Sequence, residues 1–186
     1  MEARMNDDSL YIEQFLAGDE RGFEMLVRRY QDKVLNIVYS LIGRDMESED
    51  IAQEVFLKVY HGLRRFRGRS RFSTWLYRIT VNMTYDFLRR RRNLFSDEDA
   101  LKKSIAVGEG PGDALLRKER EGLIRGALRK VPLKYRTALV LKDIEGLSYI
   151  EIARVLRCNI GTVESRIYRA RQSLREGLLN LGGGAI

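Results

Sequence analysis

Apolar residues recur at steps of three and four along most of this chain, which is the period of an amphipathic α-helix. The pattern runs from residue 8 to residue 92 and returns from residue 113 to residue 181, without convincing strand-like alternation. Between these blocks the period is lost, and glycine, proline, serine and acidic residues accumulate as in a linker. The sequence therefore predicts an all-α chain with two small helical domains, residues 8–92 and 114–181, joined by a flexible acidic linker over residues 93–113.

Charge is distributed unevenly along the chain. The whole sequence carries a formal net charge of +8, but residues 1–63 carry −6 and residues 64–92 carry +9. The spacer, residues 93–114, carries −3, and residues 115–186 carry +8. Two basic blocks predict two contacts with nucleic acid, and the acidic block in front predicts at least one further partner. Charge alone does not separate DNA from RNA or from a membrane surface.

Several classes of function are disfavoured by what the sequence lacks. One cysteine and one histidine cannot form a disulfide framework or a His/Cys metal site. The stretch VLNIVYSLIG is too short to span a bilayer, and the N-terminus has no apolar signal core. No nucleophile–base pair, phosphate-binding glycine loop or carboxylate cluster is found, and His61 stands alone. We expect a cytoplasmic protein that is not an enzyme, with no cofactor, metal, small-molecule substrate or direct membrane insertion.

A helix-turn-helix is predicted near the C-terminus. Ser148 and Glu151 have the spacing of a capping box, in which each side chain binds the backbone amide of the other residue. The short helix that follows stops near Cys158, and Asn159 can cap the next helix. Two helices joined by so tight a turn are typical of a DNA-binding helix-turn-helix.

The second of these helices has one apolar face and one polar, cationic face. The predicted buried stripe is Ile160, Val163, Ile167, Ala170 and Leu174. The opposite face holds Thr162, Ser165, Tyr168, Arg169 and Gln172, with Arg166 on one flank and Glu164 and Arg171 on the other. Such a face suits a major groove, and the preceding cap and turn favour this interpretation over a merely solvated helix.

Glu164 is the unusual member of this face. No cation stands three or four residues away on the helix, so no local ion pair is expected to neutralise its carboxylate. One interpretation is that it accepts a hydrogen bond from cytosine N4 in the groove. The other is structural: it stabilises the positive end of the helix dipole or pairs with Lys142. Both interpretations stay open.

The segment SEDIAQEVFLKVY predicts a helix with a protein-docking face. If Ile51 lies in the core, the outward residues are Asp50, Gln53, Glu54 and Leu57. An acidic rim around an exposed leucine favours a protein partner, because phosphate would be repelled. The alternative is an ordinary solvated face with one stray leucine.

The next helix and the loop before it predict a surface for single-stranded nucleic acid. The helix directs Phe72, Trp75, Leu76, Ile79, Met83 and Phe87 inward, and Arg78, Val81, Asn82, Tyr85 and Arg89 outward. Guanidinium groups, an amide and an aromatic ring suit phosphate binding, base reading and stacking. The loop consists of Phe66, Arg67, Gly68, Arg69, Ser70, Arg71 and Phe72, and it could cup an extruded base.

These segments together resemble the sigma-70 superfamily, specifically its extracytoplasmic-function branch (ECF, group 4). EDIAQEVFLKVY resembles the helix that binds core RNA polymerase, and FRGRSRFSTWLYRITVNMTYDFLRR resembles the segment that reads the minus 10 element. The stretch from residue 131 to residue 174 is similar to the domain that reads the minus 35 element.

The resemblance implies a sigma factor that directs promoter-specific transcription initiation, for example in a stress response. The implied partners are bacterial core RNA polymerase, promoter DNA (duplex at minus 35 and single-stranded at minus 10) and an anti-sigma factor. By analogy, Asp50, Gln53 and Glu54 contact polymerase, Asn82 and the 66–72 loop contact minus 10, and Lys142, Ser165, Tyr168 and Arg169 contact minus 35. Position 164 is often basic in this branch, so its glutamate predicts an altered minus 35 preference.

The main alternative is a stand-alone helix-turn-helix transcriptional regulator. It would account for residues 131–175 but would leave the predicted docking face and the Asn82 and Tyr85 surface without a function.

Overall fold

The computed structural model describes residues 7–43, 46–94 and 113–182 of the chain. Within these ranges every regular element is helical, which confirms the predicted all-α fold. The N-terminal half holds α1 (Asp7–Leu16), α2 (Glu20–Ile42), α3 (Met46–Leu63) and α4 (Phe72–Leu94). The C-terminal half holds α5 (Asp113–Lys130), α6 (Leu133–Leu139), a π-helical segment (Val140–Ile144), α7 (Tyr149–Leu156) and α8 (Ile160–Gly182). None of the helices in the described part is long and apolar enough to cross a membrane.

The helix ends follow local signals in the sequence. The predicted capping box of α7 is present: Glu151 N donates to Ser148 Oγ at 3.3 Å, and Ser148 N donates to Glu151 Oε2 at 2.9 Å. Asn159 caps α8, because its Oδ1 accepts from Thr162 N at 2.7 Å. Most of the predicted linker, residues 95–112, lies outside the described residues, so the domain boundaries stay a prediction.

In the N-terminal half, α2 packs against α1, α3 and α4. Its core is apolar and contains fully buried residues from three helices, including Leu26, Val34, Ile37, Val55, Val59, Leu63 and Leu76. One buried carboxylate is part of this half: Asp8 accepts from the Tyr30 hydroxyl at 2.6 Å and from Arg29 Nη1 at 3.1 Å. These bonds compensate the desolvation of the Asp8 carboxylate and fix α1 across α2.

In the C-terminal half, α8 packs against α5, α6 and α7. The predicted apolar stripe of α8 is buried at Val163, Ile167 and Ala170. Ile160 does not belong to it, because this first residue of α8 is 44% exposed and the stripe is covered only from Val163 onward.

The two halves pack together, although the linker predicts domains free to occupy separate sites. Their buried residues form one continuous core. Arg136 Nη1 donates to the Leu41 carbonyl at 3.0 Å, near the C-terminal end of α2, where the helix dipole favours a cation. The hydroxyls of Tyr85 and Thr137 lie 2.7 Å apart. We call this packing of the two halves the closed arrangement.

Candidate nucleic-acid and protein interfaces

The outward face of α3 is open to solvent. Asp50, Gln53 and Glu54 are exposed, and Leu57 keeps 60% of its surface accessible. On the other side of the helix Ile51 and its neighbours are buried, as the period of the sequence predicts. The structure therefore brings three polar side chains and one large apolar side chain onto a single accessible surface.

This face continues into an open apolar groove of about 680 Å³ between α2 and α3. Its lining from α3 is Glu49, Ala52, Gln53, Phe56, Leu57, Tyr60 and His61, and its lining from α2 is Phe23, Val27, Gln31 and Leu35. The sequence analysis misses the α2 residues. The signal is nevertheless present, because positions 23, 27, 31 and 35 form a second stripe of α2, beside the buried one.

The edges of the groove are held by tyrosine hydroxyls. Tyr60 donates to Glu20 Oε1 at 2.7 Å, and Tyr39 donates to Glu49 Oε1 at 3.2 Å. The hydrogen bond to the Glu20 carboxylate raises the pKa of Tyr60, so its hydroxyl stays a donor. The rim of the groove therefore carries fixed acidic oxygens around an apolar floor.

The aromatic residues that bound the basic loop are part of the core. The Phe66 and Trp75 ring centroids lie 5.0 Å apart, and those of Phe72 and Trp75 lie 6.0 Å apart. Phe72 is only 2% exposed, because as the first residue of α4 it packs also on Tyr30, so the predicted DNA contact of Phe72 has no accessible surface in the closed arrangement. Phe66 is half-buried in the same cluster. The two rings anchor the ends of the loop.

Between these anchors the loop itself is accessible. Arg67, Gly68 and Arg69 are exposed and Ser70 is half-buried. Gly68 has a φ of +63° and no neighbouring atom within reach of an added Cβ, so only its backbone conformation favours glycine there.

Arg71 ties the loop to the C-terminal half. Its Nη1 lies 3.0 Å from Glu151 Oε1, on the first helix of the helix-turn-helix. The backbone and side-chain hydrogen bonds from Ser148 hold the pKa of Glu151 below its usual range, and Arg71 adds to this effect. Glu151 thus serves the capping box and the contact between the halves at once.

The outward face of α4 is partly covered. Asn82 and Arg89 are exposed, Arg78 is half-buried, and Arg89 Nη2 pairs with Asp86 Oδ1 at 3.0 Å. Val81 is only 3% exposed, and Tyr85 is half-buried against Thr137. The prediction that these two residues lie on an open surface is wrong, because the C-terminal half packs on this side of α4. Burial also raises the pKa of Tyr85.

The polar face of α8 is open. Glu164, Ser165, Tyr168, Arg169 and Gln172 are exposed, whereas Thr162 and Arg166 are half-buried. Gln172 Nε2 donates to the Tyr168 hydroxyl at 3.3 Å. Arg171 is engaged on the flank, where its Nη2 lies 2.8 Å from Asp143 Oδ1 and its Nε donates to Asp143 Oδ2 at 3.3 Å.

Lys142 and Glu164 do not meet. Lys142 is half-buried, donates to the Leu147 carbonyl at 3.2 Å and lies 5.3 Å from the centre of the Tyr149 ring. Glu164 forms no ion pair with any residue in the described ranges, so the pairing with Lys142 is absent. Its roles as a base reader or as a partner of the helix dipole stay open.

Each half of the chain matches a family model of known proteins. Residues 26–94 match the family model of sigma-70 region 2, and residues 121–174 match that of sigma-70 region 4. The RNA polymerase sigma-H factor of Pseudomonas aeruginosa is 39% identical over 180 residues, which cover 92% of this chain and 93% of that protein. The ECF RNA polymerase sigma-E factor of Escherichia coli K12 is 37% identical over 176 residues, covering 90% and 92% of the two chains.

This chain belongs to the ECF sigma factors. As a sigma factor it acts in transcription initiation with core RNA polymerase and promoter DNA. The relatives are sigma factors, which are not enzymes. Region 2 spans most of α2, together with α3 and α4, so it contains the partly covered face of α4 and all of the groove lining except Phe23. Region 4 reaches from the second part of α5 into α8 and contains the helix-turn-helix.

Two solved structures share the fold of this sigma factor. CnrH in complex with the cytosolic domain of CnrY is 28% identical, with a TM-score of 0.72 and coverage of 95% of this chain and 99% of that one. The sigma factor RpoE of Bartonella quintana, in complex with the anti-sigma factor NepR, is 27% identical, with a TM-score of 0.69 and coverage of 84% and 96%.

Proposed function

We propose that this sigma factor docks on core RNA polymerase through the outward face of α3 and the adjoining groove. The observation that carries this proposal is the exposed Leu57 beside an apolar groove of about 680 Å³. Asp50 and Glu54 supply an acidic rim, which selects a partner with basic residues around an apolar ridge and repels nucleic acid. Gln53, which lines the groove, adds hydrogen-bonding capacity.

The minus 10 element binds, in this proposal, to the 66–72 loop and the outward face of α4. Arg67 and Arg69 are exposed on the loop and supply phosphate contacts, and Asn82 supplies an amide for a base edge. Tyr85 offers a ring for stacking only after the C-terminal half has moved away from it.

The minus 35 element binds as duplex to α8. The exposed side chains of Ser165, Tyr168 and Gln172 face the major groove and read base edges, and Glu164 lies exposed beside them as a candidate fourth reader. The half-buried Thr162, Arg166 and Lys142 lie beside this face and support it from its flanks.

The closed arrangement explains why the isolated chain should bind promoter DNA weakly. Covered Val81 and Tyr85 cannot meet a single strand, and the packed halves cannot span two promoter elements at once. Polymerase separates the halves and fixes their spacing. A protein of the anti-sigma type, as in the Bartonella quintana complex, is the expected inhibitor. The chain works in the cytoplasm, at the polymerase, and performs no catalysis of its own.

Gel filtration with sigma-free bacterial core polymerase tests the docking. The wild-type chain is expected to co-migrate with polymerase, and a Gln53→Ala/Leu57→Ala variant is expected to elute alone. Lys58→Ala is the matched control, because this exposed residue of α3 lies outside the groove lining. If the wild-type chain failed to co-migrate but bound a DNA duplex, the stand-alone regulator would be the better description.

A further inference from the structure

A cluster of two cations and one phenol lies where α6 meets α8, and Arg169 is the one member of it that the sequence assigns to DNA. Tyr135 is half-buried on α6. Arg169 Nη1 donates to the Tyr135 hydroxyl at 3.0 Å, and the Arg169 guanidinium carbon lies 5.8 Å from the centre of the ring. Lys134 Nζ lies 4.9 Å from the same ring centre. Both cations are therefore gathered around one aromatic side chain.

The charge of this cluster is not compensated. Neither Lys134 nor Arg169 forms an ion pair within the described ranges, and both side chains are exposed. Arg171, only two residues along α8, shows the contrast: its guanidinium makes two contacts with the Asp143 carboxylate. A neutral phenol orders Arg169 without cancelling its charge, whereas Asp143 orders Arg171 and cancels it.

The hydroxyl of Tyr135 also retains a proton to donate. Its oxygen accepts from Arg169, which leaves its own O–H free for another acceptor. The hydrogen bond from Arg169 lowers the pKa of Tyr135, and a more acidic phenol is a stronger hydrogen-bond donor. The cluster thus presents donors from three side chains, two of them cationic, and no carboxylate.

We propose that Lys134, Tyr135 and Arg169 bind one backbone phosphate of the minus 35 duplex, with Tyr135 also positioning Arg169. The inference rests on the proposed placement of α8 in the major groove. A phosphate group concentrates negative charge on two oxygens, which matches two cations and a hydroxyl gathered at one aromatic side chain. A base edge spreads donors and acceptors over a wider surface and would be better served by a guanidinium that reaches freely into the groove.

This assignment changes the role of Arg169. A phosphate contact fixes the register of the helix on the duplex but carries no sequence information. Base selection then falls to the neighbouring groove-facing residues Glu164, Ser165, Tyr168 and Gln172. Tyr135, which the sequence analysis does not single out, joins the DNA interface as a positioning residue.

The test uses holoenzyme reconstituted from core polymerase and this chain, bound to a fluorescent promoter duplex over a range of salt concentrations. The double variant Lys134→Ala/Arg169→Ala is expected to reduce the slope of log Kobs against log salt by about 0.9, the amount for one phosphate. Each single alanine variant is expected to reduce this slope by a smaller amount and to weaken binding about fivefold near 0.15 M salt. Tyr135→Phe keeps the ring and the packing, so it is expected to fold and to lose about threefold to tenfold in affinity. Lys134→Arg is the matched control, because it keeps the charge and should keep the slope.

Two further readouts separate a phosphate contact from base reading and from a merely structural role. Across duplexes with single minus 35 base-pair changes, the loss should be the same for every sequence. In a scan of duplexes with one neutral methylphosphonate each, Lys134→Ala and Arg169→Ala should lose sensitivity at the same backbone position. Tyr135→Phe should weaken binding less in the Arg169→Ala background than in the wild type.

A loss confined to one base pair, sensitivities at different phosphates, or wild-type slopes in the alanine variants would overturn the phosphate site. Wild-type holoenzyme that fails to bind any promoter would instead overturn the proposed function. Co-migration of each variant with polymerase shows that a loss of DNA affinity is not a loss of folding.

Discussion

The outward faces of α3 and α4 belong to neighbouring helices of the same half, yet they stand in different environments. On α3 the groove and Leu57 are open to a partner. On α4 Val81 is only 3% exposed, and the Tyr85 hydroxyl lies 2.7 Å from the hydroxyl of Thr137 in the C-terminal half. If the two faces bind as proposed, the chain in its closed arrangement can meet polymerase before it can meet single-stranded DNA. The order of binding would then follow from which face is covered, not from the residues of either face alone.

The largest expected effect comes from disrupting the packing of the C-terminal half on the outward face of α4. Val81→Asp places a carboxylate in a site that is 3% exposed, which should cost at least ~3 kcal/mol while the halves stay packed. The halves should separate, and the radius of gyration in small-angle X-ray scattering should rise.

Asn82→Asp is the control for this opening, because it adds the same charge at an exposed neighbour. It should leave the radius of gyration unchanged. Equal radii for Val81→Asp and the wild type, with helical content intact, would show that the α4 face is not held closed by this packing.

A substitution on the exposed face of α8 should leave the closed arrangement unchanged. Glu164→Lys on α8 removes a carboxylate that has no ion-pair partner in the described ranges, so the packing of the halves should not change. If Glu164 reads a base, the preferred base at one minus 35 position should shift, with about 1–3 kcal/mol of discrimination. Selection of promoter duplexes by holoenzyme measures this shift, and identical selected sequences would assign Glu164 to the helix dipole.

The stability of the closed arrangement should depend on pH through Glu145, which is half-buried at the end of the π-helical segment. Burial raises the pKa of Glu145 to about 7, while Lys33 of α2 opposes this rise. Tyr77 of α4 also faces this group, since burial and then Glu145, Asp8 and Glu151 raise the pKa of Tyr77. Glu145 and its surroundings therefore lie where the two halves meet.

The sign of the pH effect follows from linkage. If opening returns the Glu145 pKa to its ordinary value of 4.5, the closed arrangement binds more protons than the open one. Its stability should then fall as pH rises from about 4.5 to about 7 and should level off above that range. Allowing for partial exposure, we expect a change of about 1–2 kcal/mol. Scattering at pH 5.5 and pH 8 measures it, and a Glu145→Gln variant with the same pH dependence as the wild type would contradict it.

The sequence predicts local features of this molecule well, but it does not predict that the C-terminal half packs on α4. The reason is physical. The capping box of Ser148 and Glu151 and the cap at Asn159 depend on residues three positions apart, so the sequence contains the whole interaction. Rotation about the α4 axis places Val81 and Tyr85 on the face opposite the predicted apolar stripe of that helix. Tyr85 contacts Thr137, 52 positions further along the chain, and no period indicates that contact. The one available signal is Val81 itself, an apolar residue on an otherwise polar face.

The groove between α2 and α3 illustrates the same limit within one half. The α3 part of the groove follows from a single helical period, but the α2 part requires knowledge of which helices are neighbours. Phe23, Val27 and Leu35 lie outside the buried stripe of α2, and a second apolar stripe on a long helix indicates a second packing surface. The proposed partner for that surface is not part of this chain, so the sequence could predict the stripe but not its purpose.

The smallest expected effect concerns the ion pair between Arg71 and Glu151, which joins the basic loop to the helix-turn-helix at 3.0 Å. The Arg71 side chain is 71% exposed, so solvent screens the pair, and Arg71→Ala should loosen the closed arrangement by no more than about 1 kcal/mol. A double-mutant cycle with Glu151→Gln isolates the pair from the capping box, and the coupling should fade as salt is added. A coupling well above this value that persisted at high salt would mean that the two halves are held by charge as much as by their shared apolar core. The comparison between an open α3 and a covered α4 would then depend on ionic strength.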